Sequence, residues 1–210
     1  MRKFLILFVL FPLLSTAKFY KATITLNDGN LKNGFVELPE YPDDKNLKFK
    51  LVEKAKIEKL SIDLVNGFEI TNDKNEVIKY VTLFLANPKP FTNDKFKLEE
   101  KKSWVKVVRN GDINIYATSS VYSPMAGTGG FSMLYVQKEN DNYAYYFANA
   151  DIKNLKHDYT MNGFQVTKKY LNTIFGTECP KFMEMFNKED YKNEGYDYIV
   201  DLYEQNCGIN

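Results

Sequence analysis

Two apolar runs on either side of a short polar break, within residues 131–150, restrict the fold more than any other stretch. The runs cover residues 131–137 and 143–148 and are rich in aromatic and branched side chains, whereas residues 139–142 between them are charged or carry amides. This arrangement predicts a β-hairpin. Because neither run alternates cleanly with polar residues, we expect both faces of the hairpin to be covered, by a neighbouring strand and by C-terminal helices.

Residues 18–87 have the spacing of a small β module. Residues 19–26 alternate between apolar and polar side chains, and the Asp28-Gly29 pair that follows favours a tight hairpin turn. Further strands are predicted at residues 34–38, 47–52, 57–64, 67–71 and 76–86. Strands this short and closely spaced predict a small barrel or a strongly bent sheet, and their pattern is similar to that of Sm-like and SH3-like barrels. That similarity bears on architecture and not on activity.

Pro88 and Pro90 mark the expected end of this module at residue 87, because two prolines within three residues oppose a continuing strand or helix. The next segment, residues 97–109, fits either a helix or the first strand of a hairpin. Of these two structures we favour the helix, followed by a strand at residues 112–117.

The period of apolar residues becomes helical from Phe164 onward. It predicts two or three helices, the first ended by Gly176 and the second begun by Pro180. The expected fold class is therefore α+β, with a β-rich N-terminal module at residues 18–87, followed by β-hairpins and a C-terminal helical cap within residues 88–210. The two parts are expected to form either one compact unit or two small domains.

The first seventeen residues have the three parts of a secretory signal peptide. Arg2 and Lys3 are followed by an apolar run at residues 4–14, and Ala17 ends a group of small residues suited to cleavage. A membrane-spanning helix needs about 20 apolar residues, so an uncleaved anchor is the less favoured alternative. We expect an exported chain that begins at Lys18, has no transmembrane segment, and resides in the periplasm, at the outer-membrane surface or outside the cell.

Cys179 and Cys207 are the only cysteines in the sequence, and both lie in the part expected to be exported. In an oxidising compartment such a pair predicts a disulfide bond, with two buried thiols as the alternative. Two cysteines and a single histidine at these separations lack the paired spacing of zinc sites, so no metal site is predicted. No cofactor is predicted either, because the glycine-rich residues 127–130 lack the lysine and hydroxyl residue that complete a phosphate-binding loop.

The charge of the chain bears on its partner. The formal net charge is +1 before the signal segment is removed. A chain this close to neutrality, without a basic stripe, does not favour nucleic acid as the partner. The sequence contains 15 tyrosines and 16 phenylalanines, which can fill a β-rich core or line a sugar- or peptide-binding surface.

Residues 117–130 form the longest predicted loop and are rich in serine, threonine and glycine. Long loops on a rigid sheet often carry binding functions. Tyr122, Pro124 and Met125 are therefore predicted to contact a partner, with a plain solvent-exposed loop as the alternative.

Several familiar catalytic motifs are absent from the sequence or incomplete in it. The single histidine, His157, lies in a polar stretch, no G-x-S-x-G nucleophile motif is present, and the S-x-x-K pattern of Ser103 and Lys106 lacks its companion motifs. The sequence therefore predicts a non-enzymatic envelope or surface protein that binds a protein, peptide or glycan. Two alternatives stay open: a carboxylate-dependent hydrolase of cell-wall or polysaccharide substrates, which needs two facing carboxylates, and a structural subunit of an envelope assembly, which a long exposed sheet edge would favour.

Two C-terminal motifs, ECPKF at residues 178–182 and IVDLY at residues 199–203, accompany an N-terminal F-Y-x-A-x-I-x-L-x-D-G pattern that starts at Phe19. With this combination the chain resembles secreted proteins of unknown function from Flavobacterium-type (Bacteroidetes) bacteria, although Glu204 replaces the asparagine of their second motif. The resemblance spans most of the expected mature chain. It implies an envelope or surface protein, and it implies no catalytic residues.

Overall fold

The computed structural model describes residues 18–92, 95–118, 131–151 and 161–208. Within these ranges the chain forms ten strands, four α-helices and a short 3₁₀ helix, which confirms the predicted α+β class. The strands are β1 (Phe19–Leu26), β2 (Leu31–Glu37), β3 (Asn46–Lys50), β4 (Glu58–Ser61), β5 (Val65–Thr71), β6 (Val77–Pro88), β7 (Phe96–Arg109), β8 (Ile113–Ala117), β9 (Phe131–Lys138) and β10 (Tyr143–Asp151). The α-helices are α1 (Met161–Phe175), α2 (Pro180–Met185), α3 (Lys188–Glu194) and α4 (Tyr196–Cys207), and the 3₁₀ helix is Ile62–Leu64.

Strands β1 to β5 form a five-stranded antiparallel barrel in the order β5-β1-β2-β3-β4, with the 3₁₀ helix leading from β4 to β5. The predicted β1–β2 hairpin is present, and Gly29 occupies the left-handed region in its turn, at φ 83°. Because side chains alternate along a strand, Ala22 and Ile24 of β1 are buried while Lys21 is exposed. The core of this barrel contains Ala22, Ile24, Val36, Leu47, Phe49, Ile62, Val65, Phe68, Ile70 and Trp104.

Strands β6 to β10 close into a second barrel. They are antiparallel neighbours in that order, and β10 returns to pair in parallel with β6, with Tyr143 opposite Phe84 and Tyr145 opposite Ala86. The last strand therefore pairs with the first, which removes a sheet edge at β10. The interior of the second barrel contains Leu85, Val105, Tyr116, Tyr135, Ala144 and Tyr146. At the other end of the sheet order lies β4, which is four residues long.

The C-terminal helices cover the outer face of β8, β9 and β10. Leu134 and Val136 of β9 lie in a core shared with the helices, whereas Tyr135 between them faces the interior of the second barrel. The hairpin within residues 131–150 is therefore covered on both faces, as predicted. The core between sheet and helices also contains Ile113, Ile115, Phe147, Leu171, Phe175, Phe182, Phe186, Tyr191, Ile199 and Leu202.

Helix boundaries follow the predicted signals with one difference. The first helix ends directly before Gly176, and the second begins at Pro180, both as predicted. The third predicted helix is divided into α3 and α4 by Gly195, whose φ of 67° interrupts the helical backbone. No helix in the described part of the chain has both the length and the apolar character needed to cross a membrane.

The helix favoured for residues 97–109 is wrong, because these residues belong to the long strand β7. Trp104 lies in the core of the first barrel and Val105 in that of the second, an arrangement that the alternation of a strand produces. Pro88 pairs with Phe96 at the end of the β6–β7 hairpin, so the sheet continues past residue 87.

Tyr116, which is buried inside the second barrel, is expected to make the free energy of unfolding depend on pH. Its hydroxyl donates to Gln137 Oε1 at 3.0 Å, and burial raises the pKa of Tyr116 to about 12. An unfolded tyrosine has a pKa of about 10, so between these values the unfolded chain releases a proton that the folded chain retains. We expect the stabilising contribution to be fully present below about pH 10 and to be lost as the pH rises toward about 12.

Urea unfolding at about pH 8 and about pH 11 measures this effect. The wild type is expected to lose more of its free energy of unfolding between these two conditions than Tyr116→Phe, which has no phenolic proton at this position. The variant also loses the hydrogen bond to Gln137, so its lower stability at pH 8 is the baseline for the comparison. Equal losses in the two proteins would contradict the assignment to Tyr116.

Candidate functional site

A cleft of about 420 Å³ opens between the two barrels. The first barrel contributes the β2–β3 connection, residues 38–45, and the second contributes residues from β6, β7 and β9. Junctions of this kind are common places for ligand sites. The cleft is lined by Pro42, Asp43, Leu85, Asn87, Glu99, Lys101, Lys102, Ser103, Thr118, Met133 and Tyr135.

Hydrogen bonds to Trp104 hold the β2–β3 connection against β7. The backbone N–H of Trp104 donates to the Pro42 carbonyl at 2.7 Å, and its indole N–H donates to the Asp44 carbonyl at 2.8 Å. The Asp44 carboxylate in turn accepts the backbone N–H groups of Glu40 at 2.8 Å and Tyr41 at 3.0 Å. This wall of the cleft is therefore set by the folded protein before a ligand arrives.

An irregularity in strand pairing supplies the opposite wall. Residues 99–101 of β7 lie opposite the single residue Leu85 of β6, which is a β-bulge of three residues against one. Bulges bend a strand and change the direction of its side chains, and they are common beside functional sites. Glu99 and Lys101, both within the bulge, line the cleft.

A chain of hydrogen bonds crosses the cleft wall. The Tyr135 hydroxyl donates to Asn87 Oδ1 at 2.8 Å, and Asn87 Nδ2 donates to Glu99 Oε1 at 3.3 Å. Lys97 Nζ then donates to both oxygens of Glu99 at 3.1 Å. The Asn87 amide is oriented by these bonds, because its oxygen faces a donor and its nitrogen faces a carboxylate.

The protonation states of Tyr135 and Glu99 agree with the direction of the hydrogen bonds that each makes with Asn87. Burial, with smaller contributions from Tyr146 and the Glu99 charge, raises the pKa of Tyr135 well above that of a free tyrosine, so its hydroxyl stays protonated and remains a donor. The hydrogen bond from Lys97, followed by that from Asn87, lowers the pKa of Glu99, so its carboxylate stays charged. The cleft therefore presents fixed polar groups at neutral pH.

Two lysines give the cleft unpaired positive charge. Lys101 is exposed and Lys102 is half-buried. Among the described residues, no carboxylate oxygen lies within 4.0 Å of either ammonium group. Both lysines can bind an anionic group of a ligand without breaking an internal ion pair.

The predicted contact residues Tyr122, Pro124 and Met125 lie outside the described residues, and their role stays a prediction. The described residues on either side of their segment do line the cleft. Thr118 N–H donates to the Met133 carbonyl at 3.0 Å, and Met133 N–H donates to Thr118 Oγ1 at 3.4 Å. Thr118 and Met133, which lie on either side of that segment in the sequence, therefore both line the cleft.

Cys179 and Cys207 form the predicted disulfide, with their Cα atoms 5.9 Å apart. Cys179 precedes α2 and Cys207 ends α4, so the bond belongs to the helical layer and does not line the cleft. The S-x-x-K residues Ser103 and Lys106 lie on β7, where positions three apart point to opposite faces. His157 and the predicted signal segment lie outside the described residues. Within the described ranges, no group of three or more histidine, cysteine, aspartate or glutamate side chains is placed to hold a metal ion.

Sequence reasoning did not identify the polar chain of Asn87, Glu99 and Tyr135. In the sequence Asn87 ends the predicted β module, Glu99 lies in the segment that fits a helix or a strand, and Tyr135 belongs to the predicted hairpin. The one sequence signal near this site is the pair of prolines after Asn87, which predicts a break in the chain. In the structure β6 ends at Pro88, next to the cleft residue Asn87.

The fold and the cleft define an α+β protein made of two joined barrels, with a polar cleft between them that two lysines and two acidic residues line, and a disulfide-linked helical layer. No family model, no curated protein and no solved structure matches this chain. The resemblance to secreted Flavobacterium-type proteins is therefore a hypothesis that depends on the motifs quoted above.

Proposed function

We propose that this chain is an exported envelope or surface protein that binds a peptide or glycan in the cleft between its barrels. The observation that carries the proposal is the cleft itself, where a hydrogen-bonded wall, a β-bulge and two unpaired lysines converge. The groups are already oriented, so little ordering is needed on binding. The disulfide supports export, because such bonds persist in oxidising compartments.

The state of the polar groups favours binding over catalysis. Tyr135 is held as a proton donor, and a phenol with a raised pKa is a poor base or nucleophile at neutral pH. Glu99 is held as a carboxylate by Lys97 and Asn87, whereas the general acid of a hydrolase needs a raised pKa. The structural-subunit alternative depends on a long exposed edge, and the end strand β4 has four residues.

The charge of the cleft indicates the class of ligand. Lys101 and Lys102 favour a ligand with carboxylate or similar anionic groups, and the half-buried amide of Asn87 suits hydroxyl or amide groups. An acidic peptide or an acidic glycan has both kinds of group. The half-buried, apolar side chain of Met133 gives such a ligand a surface to pack against.

Reversing the charges of the two cleft lysines tests the proposal. Lys101→Glu/Lys102→Glu is expected to lower retention of the partner about tenfold or more, because two attractive contacts become repulsive. The measurement is a pull-down from envelope extract with the tagged exported chain, followed by mass spectrometry of bound proteins and analysis of bound glycans. Circular dichroism of each variant checks that it is folded.

Lys168→Glu/Lys169→Glu on α1 is the matched control, because it also reverses the charges of two consecutive lysines, one half-buried and one exposed. This variant is expected to retain the partner as the wild type does. Equal retention by both double variants, or recovery of background proteins alone with no glycan, would overturn the proposal. Recovery of cleaved glycan would instead support the hydrolase alternative.

A further inference from the structure

Phe91, at the tip of the β6–β7 hairpin, is held in an exposed position by a well-bonded turn. Its side chain has a relative exposure of 109%, and its φ is 61°. The N–H of Thr92 donates to the Lys89 carbonyl at 3.3 Å, and Thr92 Oγ1 donates to the same oxygen at 2.8 Å. The N–H of Lys89 donates to the Lys95 carbonyl at 2.8 Å across the base of the tip.

This conformation is unfavourable for the isolated chain. A turn with proline in its second position and a positive φ in its third favours glycine there, and an L-residue with a large side chain is strained in that region. Phe91 follows Pro90 in this arrangement, and its ring is fully exposed to water. In the part of the chain that the structure describes, no packing of the Phe91 ring offsets the free energy cost of this strain. Strained residues of this kind are concentrated at functional positions.

The residues around Phe91 are basic and apolar. Lys89 and Lys95 are exposed and Leu98 is 49% exposed, whereas the exposed Lys97 is paired with Glu99. The sequence from residue 89 to residue 98 contains these three lysines and one aspartate. An aromatic ring beside lysines suits the boundary of a lipid layer, where the ring lies among the headgroups and the ammonium groups contact anionic lipids.

We propose that this tip is a membrane-contact element that places Phe91 in the headgroup region of an anionic lipid surface. A lipid surface fits better than a protein because the described residues here offer one exposed ring and two exposed unpaired lysines rather than a broad surface. A stable protein interface buries about 1,200 Å² or more with a complementary surface, whereas a lipid layer accepts a single inserted ring. The proposal depends on the hairpin tip alone and holds whether or not the cleft binds a ligand.

Vesicle binding of the exported chain tests the proposal. The wild type is expected to sediment with phosphatidylcholine vesicles that contain phosphatidylglycerol and to bind weakly to phosphatidylcholine alone. Phe91→Gly is expected to lower the partition coefficient about tenfold, because the inserted ring is lost. Its thermal stability should equal or exceed that of the wild type, since glycine adopts this φ without strain.

Two further variants sharpen the result. Leu51→Ser removes another exposed apolar side chain, 64% exposed and on the β3–β4 connection, and is expected to bind vesicles as the wild type does. Lys89→Glu/Lys95→Glu is expected to abolish the preference for anionic vesicles. Wild-type binding that does not depend on phosphatidylglycerol, or unchanged binding by Phe91→Gly, would overturn the proposal. The proposal would also be overturned if the wild type did not bind vesicles and Phe91→Gly instead lost a bound partner protein.

Discussion

Trp104→Ala is expected to lower the free energy of unfolding by about 3–5 kcal/mol and to separate the unfolding of the two barrels. Trp104 lies on β7 of the second barrel, but its side chain is 3% exposed in the core of the first. Its ring packs edge-on against Phe68, with centroids 5.5 Å apart. Its indole N–H donates to the Asp44 carbonyl, so truncation leaves both a cavity and an unpaired acceptor.

The shared side chain predicts cooperative unfolding in the wild type. The two barrels also share the pairing of β5 with β6, and Trp104 adds a side-chain link across the same boundary. Without that link, we expect the first barrel of Trp104→Ala to unfold at a lower urea concentration than the second barrel and its helices. Unfolding of either barrel removes the contacts of Trp104 in the other, so the wild type is expected to show a single unfolding transition.

Trp104→Phe is the matched control for the cavity. It keeps an aromatic ring near Phe68 and loses the indole hydrogen bond, so a destabilisation of roughly 1–2 kcal/mol and one transition are expected. Far-UV and near-UV circular dichroism in urea follow both variants, and the fluorescence of the single tryptophan reports the first-barrel core in the wild type. A single transition for Trp104→Ala, with the midpoint of the wild type, would show that Trp104 does not couple the barrels.

Local signals predicted the elements that depend on local physics. β1 was predicted from its alternation and from Asp28-Gly29, whose glycine has the positive φ that this turn requires. The β9–β10 hairpin was predicted from two apolar runs around a polar break. The first turn of α2 was predicted from Pro180, because proline lacks the N–H that is unsatisfied there in any case.

The elements that depend on distant neighbours were not predicted. The helix favoured for residues 97–109 is wrong because apolar spacing around Trp104 fits a helical face as well as two strand faces, and the two separate cores decide between them. The parallel pairing of β10 with β6 joins Tyr143 to Phe84, and no local pattern predicts such a contact. The cleft has the same origin, since Asn87 and Tyr135 meet only when the second barrel closes.

The disulfide between Cys179 and Cys207 holds together a helical layer made of short pieces. α2 has six residues and α3 has seven, and helices of this length are marginal in water without tertiary contacts. The bond joins residues 28 apart in sequence and ties the start of α2 to the end of α4. Arg109 adds a second tie from β7 to α4 through its ion pair with Asp197 at 2.8 Å.

Cys179→Ala/Cys207→Ala is expected to lower the free energy of unfolding by about 2–5 kcal/mol, with the loss concentrated in the helical layer. Without the crosslink the unfolded chain gains conformational freedom, and the end of α4 is held mainly by packing and by the Arg109 ion pairs. Hydrogen exchange by mass spectrometry should therefore show faster exchange in α2 and α4, with little change in β1 and β2. Wild-type protein kept in reductant is the control and should behave as the double variant does. Equal stability of the oxidised wild type and the variant would mean that aromatic packing around Phe182 and Tyr203 holds the layer without the bond.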